Sequence, residues 1–483
     1  MPALRPVLFI LGMLLLALAA FMLLPAALDA MRHDRDWQAF LVSTAITGGV
    51  GGAFFLGYRQ KKAPALTPRD GFLLTVLAWI ALCLFSTLPF MLSERPLSFT
   101  DAMFESMSGL TTTGATVMTG LADQPRGLLL WRALLHLIGG VGIIVTAVAI
   151  LPVLRVGGMQ LFRMESSDKT EKVRPRVSQV SGIVISVFLA LTATCTVALL
   201  LAGMPLFDAL CHAISAVATG GFSTQDTSIG FYRSSAIEWI MIVFMLLGSC
   251  PFVLLAAAAQ GNFSAFLGDS QVRWFFIYIA VIVTAFFLWH LATGDRSVYD
   301  AFRASAFAVV SVATTSGFVT EDYTLWGTFP LCVFMMLYFA GGCTGSTTGG
   351  IKVFRYCVLG SVSQWQIRLL VHPHRMRPPT YNGKPISEDV VRSVLSFFVF
   401  YIAGYAVLTV TISLFGLDLV TASSGVAQAM ANAGFGLSQI IGPAGTFALL
   451  PDGAKWVLSV AMLLGRLELL TVLVLLSPVF WRG

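Results

Sequence analysis

Charge is scarce in this sequence. Asp, Glu, Lys and Arg make up 11% of its 483 residues, where an ordinary soluble domain carries about 25%. So few charges cannot clothe a chain of this length in a water-facing surface, which excludes a soluble globular fold. Catalytic signatures are missing too. There is no H-E-x-x-H, no P-loop and no G-x-S-x-G, so metalloprotease chemistry, ATP hydrolysis within the chain and serine hydrolysis have no support. Cysteine is present but not in a useful pattern. The seven residues Cys83, Cys195, Cys211, Cys250, Cys332, Cys343 and Cys357 are odd in number and form no C-x-x-C, which argues against a disulfide framework or a zinc site. They read as small buried apolar residues. His372 and His374 lack a third ligand, while His136, His212 and His290 stand singly in apolar runs and read as packed or hydrogen-bonded.

Apolar residues are what the sequence has instead: 57% of the chain, with a mean hydropathy of +0.83. Several runs reach the ~20 residues needed to cross a hydrocarbon layer of ~30 Å. The first, Val7 to Leu28, is longer than a signal-peptide core and lacks a small-residue cleavage site, so it reads as a retained helix. Ten spans are expected, at 6–28, 38–58, 70–92, 127–154, 180–203, 235–259, 272–293, 326–360, 390–415 and 453–480. The net charge of +6 is no nucleic-acid signal, because the basic residues gather in short loops. Arg59, Lys61, Lys62 and Arg69 form one group. Arg155, Arg163, Lys169, Lys172, Arg174 and Arg176 form a second, and Lys352, Arg355, Arg368, Arg375, Arg377, Lys384 and Arg392 a third. The positive-inside rule makes these loops, and with them both termini, cytoplasmic. The loop from Gln260 to Arg273 falls on the same side.

Four of the opposite connections repeat one pattern. Each is a short apolar segment opened by an acid (Asp101, Asp208, Asp300 or Asp418) and closed by small and hydroxylated residues around a glycine. The glycines are Gly114, Gly221, Gly317 and Gly434, spaced by 107, 96 and 117 residues, which suits a unit of span, half-helix, loop and span. The acids sit where N-caps belong. A half-helix entering the membrane points its negative C-terminal end inwards. Backbone of this kind is tolerated at membrane depth only when buried or lining a watery path. The residues before each glycine, Thr112-Thr113, Thr219-Gly220, Thr315-Ser316 and Asn432-Ala433, can present carbonyls to a monovalent cation in place of its water. One such loop is a weak signal; four on one side are strong.

Two further features lie in the apolar runs. Gly341, Gly342, Thr344, Gly345, Ser346, Thr347, Thr348, Gly349 and Gly350 fall within a ten-residue window that holds five glycines and four hydroxyl side chains. Such a window makes a poor lipid-facing helix, since each Gly costs ~1 kcal/mol relative to Ala. It reads as an unwound loop crossing the pore as a gate, with Lys352 beyond it snorkelling to the surface; the alternative is a helix kink packed against a neighbour by small residues. Arg466 stands inside the last apolar run, where a charge must face the protein interior or water. It is expected to oppose cations along the ion path, the alternative being an arginine satisfied by backbone carbonyls of a neighbouring helix. Glu468, two residues on, points to another face and does not pair with it.

Together the stretches T-T-T-G-A-T, A-T-G-G-F-S-T, A-T-T-S-G-F-V-T, A-N-A-G-F-G, G-G-C-T-G-S-T-T-G-G-I-K and G-R-L-E resemble the Trk, Ktr and HKT superfamily of K+ transporters. The likeness is to the TrkH/TrkG type, with two additional N-terminal spans, and it covers residues 5–483. It implies an all-α integral membrane protein in which four pseudo-symmetric helix–pore-loop–helix repeats surround a central pore. Residues 1–65 would be the extra helices. The repeats would occupy 66–176, 177–266, 267–385 and 386–483, with filter loops at 111–116, 218–223, 313–319 and 431–436 and the gate at 341–350. The resemblance implies K+ as the transported ion, a homodimer in the bacterial inner membrane, and a cytosolic nucleotide-binding ring (TrkA-like) as partner. A serine at the first filter glycine accompanies Na+ preference in some plant relatives; Gly114 favours K+. The fourth loop, with Asn432-Ala433, departs most from the pattern and is where weakened selectivity is expected. Outside the resemblance, an H+- or Na+-coupled secondary transporter (a symporter) with broken helices is the alternative. An intramembrane enzyme lacks a nucleophile–base pair.

Overall fold

A computed structural model describes residues 4–59, 67–145, 177–294, 296–373 and 377–482. The basic group from Arg155 to Arg176, together with Lys61, Lys62, His374 and Arg375, lies outside the described residues, as does the end of the expected fourth span. The architecture is all-α, as lipid demands of a chain that must satisfy its backbone internally. Among the described residues, seven helices are long and apolar enough to cross a membrane: Leu4–Met31, Trp37–Gly57, Pro68–Leu92, Arg126–Ile144, Ser181–Leu201, Ser270–Thr293 and Glu388–Ser413. Their outward faces carry bare apolar side chains such as Val281, Leu288, Val399 and Val410, the surface expected against lipid. The first two helices pack closely, a Cβ on Gly12 falling only 2.6 Å from the Phe55 nitrogen.

Three expected spans are broken. The sixth bends by 107° between Ser235–Gly248 and Phe252–Ala259, at the sequence Ser249-Cys250-Pro251. The last bends by 109° between Asp452–Arg466 and Leu469–Leu476. Glu468, with φ of 58°, turns the chain there. Arg466 is therefore not mid-helix but at a helix C-terminus, where a cation is favoured. The eighth divides into Thr328–Leu337, an irregular stretch containing the glycine window, and Val353–Val371. Among the described residues the only strands are Thr380–Tyr381 and Lys384–Pro385, a hairpin turned by Asn382-Gly383. The reading of this stretch as plain basic loop missed it.

The four short segments form half-helices: Phe99–Leu110, Leu206–Val217, Val298–Ala313 and Leu419–Ala431, at least the last two turns or so of each being buried. Their N-termini correct one expectation. Only Asp418 is an N-cap, accepting from Val420 and Thr421 N–H at 3.1 Å. The Thr421 hydroxyl and these N–H groups hold its carboxyl below the ordinary range. Asp101 and Asp300 lie three residues inside, their N–H groups donating to the capping hydroxyls of Ser98 and Ser297, and Asp208 is equally far past Pro205. A serine hydroxyl caps the first and third half-helices, and in the first turn a carboxylate still favours the helix dipole. Asp101 also binds Lys455 at 2.6 Å, tying the first half-helix to the Asp452–Arg466 helix.

Candidate ion pathway

All four half-helices end in the same way. The N–H groups of Thr113, Gly220, Ser316 and Ala433 donate five residues back, to the carbonyls of Ser108, Ser215, Ser311 and Gln428, at 2.8–2.9 Å. Those of Thr112, Thr219, Thr315 and Asn432 donate three residues back, at 3.0–3.2 Å. This is the Schellman arrangement, which closes a helix through one left-handed residue. That residue is usually glycine. Here it is Thr112, Thr219, Thr315 and Asn432, with φ of 52°, 51°, 55° and 55°. A β-branched residue in this region is an outlier, of a kind that costs on the order of 1–3 kcal/mol and clusters at functional sites. Two residues later Gly114, Gly221, Gly317 and Gly434 again take positive φ, between 72° and 89°.

These glycines close a ring. A Cβ on Gly114 would lie 1.9 Å from the Gly220 carbonyl oxygen, and one on Gly221 would lie 2.1 Å from that of Ser316. One on Gly317 would lie 2.6 Å from the Ala433 oxygen, and one on Gly434 would lie 2.9 Å from the Thr113 oxygen. Each loop thus rests its glycine on the carbonyl before the next loop's glycine, and the fourth returns to the first. Asn432, singled out in the sequence, keeps the common backbone. Asparagine tolerates the left-handed region better than threonine does, and its Nδ2 donates to Thr113 Oγ1 and Met462 O at 3.0 Å.

The glycine window packs directly against these loops. Gly349 N–H donates to Thr315 Oγ1 at 2.9 Å, and a Cβ on Gly349 would lie 2.0 Å from the Ala431 carbonyl. Thr347 Oγ1 donates to the carbonyls of Val217 and Gly248 at 2.9 Å and meets Thr219 Oγ1 at 3.2 Å. Gly345 and Gly350 turn the chain with positive φ, and Gly341 and Gly342 lie where a Cβ would clash with Ile351 O and Thr348. Ser346 Oγ donates to Cys343 O and meets Thr348 Oγ1. Other elements reach in to hold this loop. Gln271 Oε1 accepts from Thr344 N–H at 2.9 Å, and Tyr278 OH donates to Gly341 O at 3.1 Å.

Arg466 is buried against the same loop. One guanidinium nitrogen donates to Thr347 O at 2.8 Å and the other to Gly139 O at 3.4 Å. Lys352 does not snorkel; its Nζ turns back onto the Thr348 carbonyl and hydroxyl. Arg355, grouped with the basic loop in the sequence, is instead buried in helix Val353–Val371. It pairs with Glu468, and its guanidinium lies 3.7 Å from the Phe397 ring centre. Glu468, in the bend between two helices and not on the helix that carries Arg466, thus finds its partner on a third. Lys352, Arg355, Arg466 and Glu468 line a cavity beside Ser346 and Thr348.

Other residues escaped the sequence reading. Glu105 and Arg132 form a buried pair behind the first two loops. The signal was present: an acid inside a half-helix and an arginine inside an apolar span, though nothing in one dimension joins them. Tyr338 OH donates to the Phe435 carbonyl beside the fourth loop, a contact between segments 97 residues apart.

A family model described as TrkH, cation transport protein, matches residues 38–482. The chain is 42% identical, over 99% of its length and 97% of the relative's, to the Trk system potassium uptake protein TrkI of Halomonas elongata. It is 36% identical to the Trk system potassium uptake protein TrkH of Escherichia coli, over 99% of both chains. The crystal structure of the potassium transporter TrkH from Vibrio parahaemolyticus superposes with a TM-score of 0.92 at 37% identity, covering 99% of this chain and 100% of that one.

Proposed function

The chain belongs to the TrkH family of cation transport proteins, and on that premise we propose how it selects and gates K+. Its relatives are named for potassium uptake, and the family consists of ion transporters, not enzymes. The chain is accordingly the K+-uptake pore subunit of a Trk system. Its selectivity filter is the ring of backbone at Thr112, Thr113, Gly114, Thr219, Gly220, Gly221, Thr315, Ser316, Gly317, Asn432, Ala433 and Gly434. Carbonyls there replace the hydration shell of K+, and four half-helix C-termini add partial negative charge. The closure of four glycines on four carbonyls, each on the next loop, carries this reading: it brings backbone from all four loops into one ring.

Residues 341–350 form the gate beneath the ring. Arg466 does two things at once: it places a fixed positive charge next to the ion path and pins the gate through its bond to the Thr347 carbonyl. The repeats run as 66–176, 177–266, 267–385 and 386–483. Ions enter from the half-helix N-terminal side, so the termini and the basic loops are cytoplasmic, in a bacterial inner membrane. A homodimer and a TrkA-like cytosolic ring complete the system.

Conduction is favoured over H+ coupling because, among the described residues, the buried carboxylates Glu105 and Glu468 near the path are each paired with an arginine. Reversal potentials of the full-length protein in bilayers test this. The potential should follow the K+ gradient and ignore a superimposed proton gradient. Movement with the proton gradient would establish coupling and the symport alternative.

A further inference from the structure

The half-helices differ nine residues before the filter glycine. Aligned there stand Glu105, His212, Ala308 and Gly425. The first two are polar and buried, and each reaches the residue two positions after its own glycine. His212 Nε2 meets Ser223 Oγ at 2.9 Å. Glu105 accepts from Thr116 Oγ1 and Val117 N–H at 3.0 Å and from Arg132 Nε at 2.8 Å. Arg132 spans the gap between the loops: its Nη1 donates to the Ser223 carbonyl at 2.8 Å and its Nη2 to Thr116 Oγ1 at 3.2 Å. Its face lies 4.0 Å from the Phe222 ring centre, and Phe222 stacks in turn on His136. Side-chain exposure is 2% for Arg132 and 0% for Glu105.

An ion pair so deep is weak evidence for stability, because the desolvation of both groups offsets their attraction. Here it joins the exit of one filter loop to the exit of the next, in the half of the ring that lacks small apolar residues at this position. We propose that Glu105 and Arg132 are positioning residues for ion selectivity: their pair sets the spacing between the first and second filter loops and so the discrimination of K+ from Na+. Neither group touches the ion. Glu105 orients loop one through the Thr116 hydroxyl and Val117 N–H, Arg132 orients loop two through the Ser223 carbonyl, and the fork geometry of the guanidinium fixes the two relative to each other. This inference rests on the filter reading above.

The test compares bi-ionic K+/Na+ reversal potentials of full-length variants in proteoliposomes. Glu105→Gln keeps the shape but weakens the bond to Arg132; Thr116→Val removes the shared hydroxyl and keeps both charges. The double variant Glu105→Gln/Arg132→Gln avoids a lone buried charge if Glu105→Gln does not fold. The K+/Na+ permeability ratio should fall roughly threefold to tenfold in Glu105→Gln or the double variant, equivalent to about 0.7–1.4 kcal/mol. Thr116→Val should shift it less and in the same direction, and Glu105→Asp should restore part of the ratio. A structural role alone would change yield or melting and leave the ratio intact. Gly114→Ser, whose Cβ must displace the Gly220 carbonyl, is the control for the filter. If it lowers the ratio while the folded pair variants and Thr116→Val keep the wild-type value, the positioning role is wrong and the filter stands. If Gly114→Ser also keeps that value, the filter reading falls and the inference with it.

Discussion

The four loops at the half-helix ends and the loop Gly341–Gly350 are alike: irregular, buried and glycine-containing, with hydroxyls in all but the fourth half-helix loop. They are held in opposite ways. Each half-helix loop, the proposed filter, is fixed by its own helix through two Schellman hydrogen bonds and then by backbone contact with the next loop. The loop Gly341–Gly350, the proposed gate, closes no helix. Side chains from elsewhere, Gln271, Tyr278, Thr315 and Arg466, hold much of it, along with backbone bonds to Gly248 and Ser249. Backbone closed by its own helix keeps its local shape with little help from other elements, the Glu105–Arg132 pair behind the first two loops aside. Backbone hung from remote side chains is released when those elements move. The first arrangement suits selection and the second gating.

The comparison breaks most visibly at Gly221. In Gly221→Ala the new Cβ would sit 2.1 Å from the Ser316 oxygen at a φ of 80°, so two loops must shift together. K+ uptake in a transport-deficient strain should drop at least about tenfold, as expected for a strain of ~2 kcal/mol or more at a fixed site. Uptake within twofold of wild type would mean that the ring is not what selects. A smaller effect, of opposite sign, is expected on the gate. Gln271→Leu leaves the buried Thr344 N–H without its acceptor, a loss of about 1–3 kcal/mol. The closed arrangement should weaken, raising Rb+ flux severalfold with the K+/Na+ ratio unchanged; lower flux, or an altered ratio, would merge the two loops into one device. Asn432→Thr should do least. It gives the fourth loop the residue of the other three, in a conformation threonine already adopts at Thr112, Thr219 and Thr315. Melting temperature should fall by a few degrees, consistent with about 1 kcal/mol for two lost side-chain hydrogen bonds. A large selectivity change would restore the fourth loop to the odd position its sequence suggests.

Much of this was legible in one dimension, for a definite reason. Repetition revealed the loops: a single Thr315-Ser316-Gly317 is a turn, but Gly114, Gly221, Gly317 and Gly434 at matching places in four segments are a plan. The glycine window and Arg466 were visible because each violates what lipid allows. What stayed hidden depends on partners distant in sequence or on local choices with near-equal cost. Serine or aspartate can each cap a helix, so Asp101 and Asp300 were placed three residues too early. The left-handed residue is glycine in most Schellman ends, which drew attention to Gly114 and away from Thr112. The bend at Glu468 left no glycine or proline to mark it. The pairs Glu105–Arg132 and Arg355–Glu468 join residues 27 and 113 positions apart, and only packing reveals them.

The division of labour is tested most directly by the bi-ionic K+/Na+ reversal potential of Arg466→Ala, recorded together with current amplitude in the same bilayer. Removing the guanidinium takes away the donor to the Thr347 carbonyl and the fixed charge beside the path, while the filter backbone keeps its own hydrogen bonds. Current should rise severalfold with the reversal potential at its wild-type value. A reversal potential displaced towards Na+, or a current no larger than wild type from folded protein, would contradict the separation of a locally fixed filter from a remotely held gate.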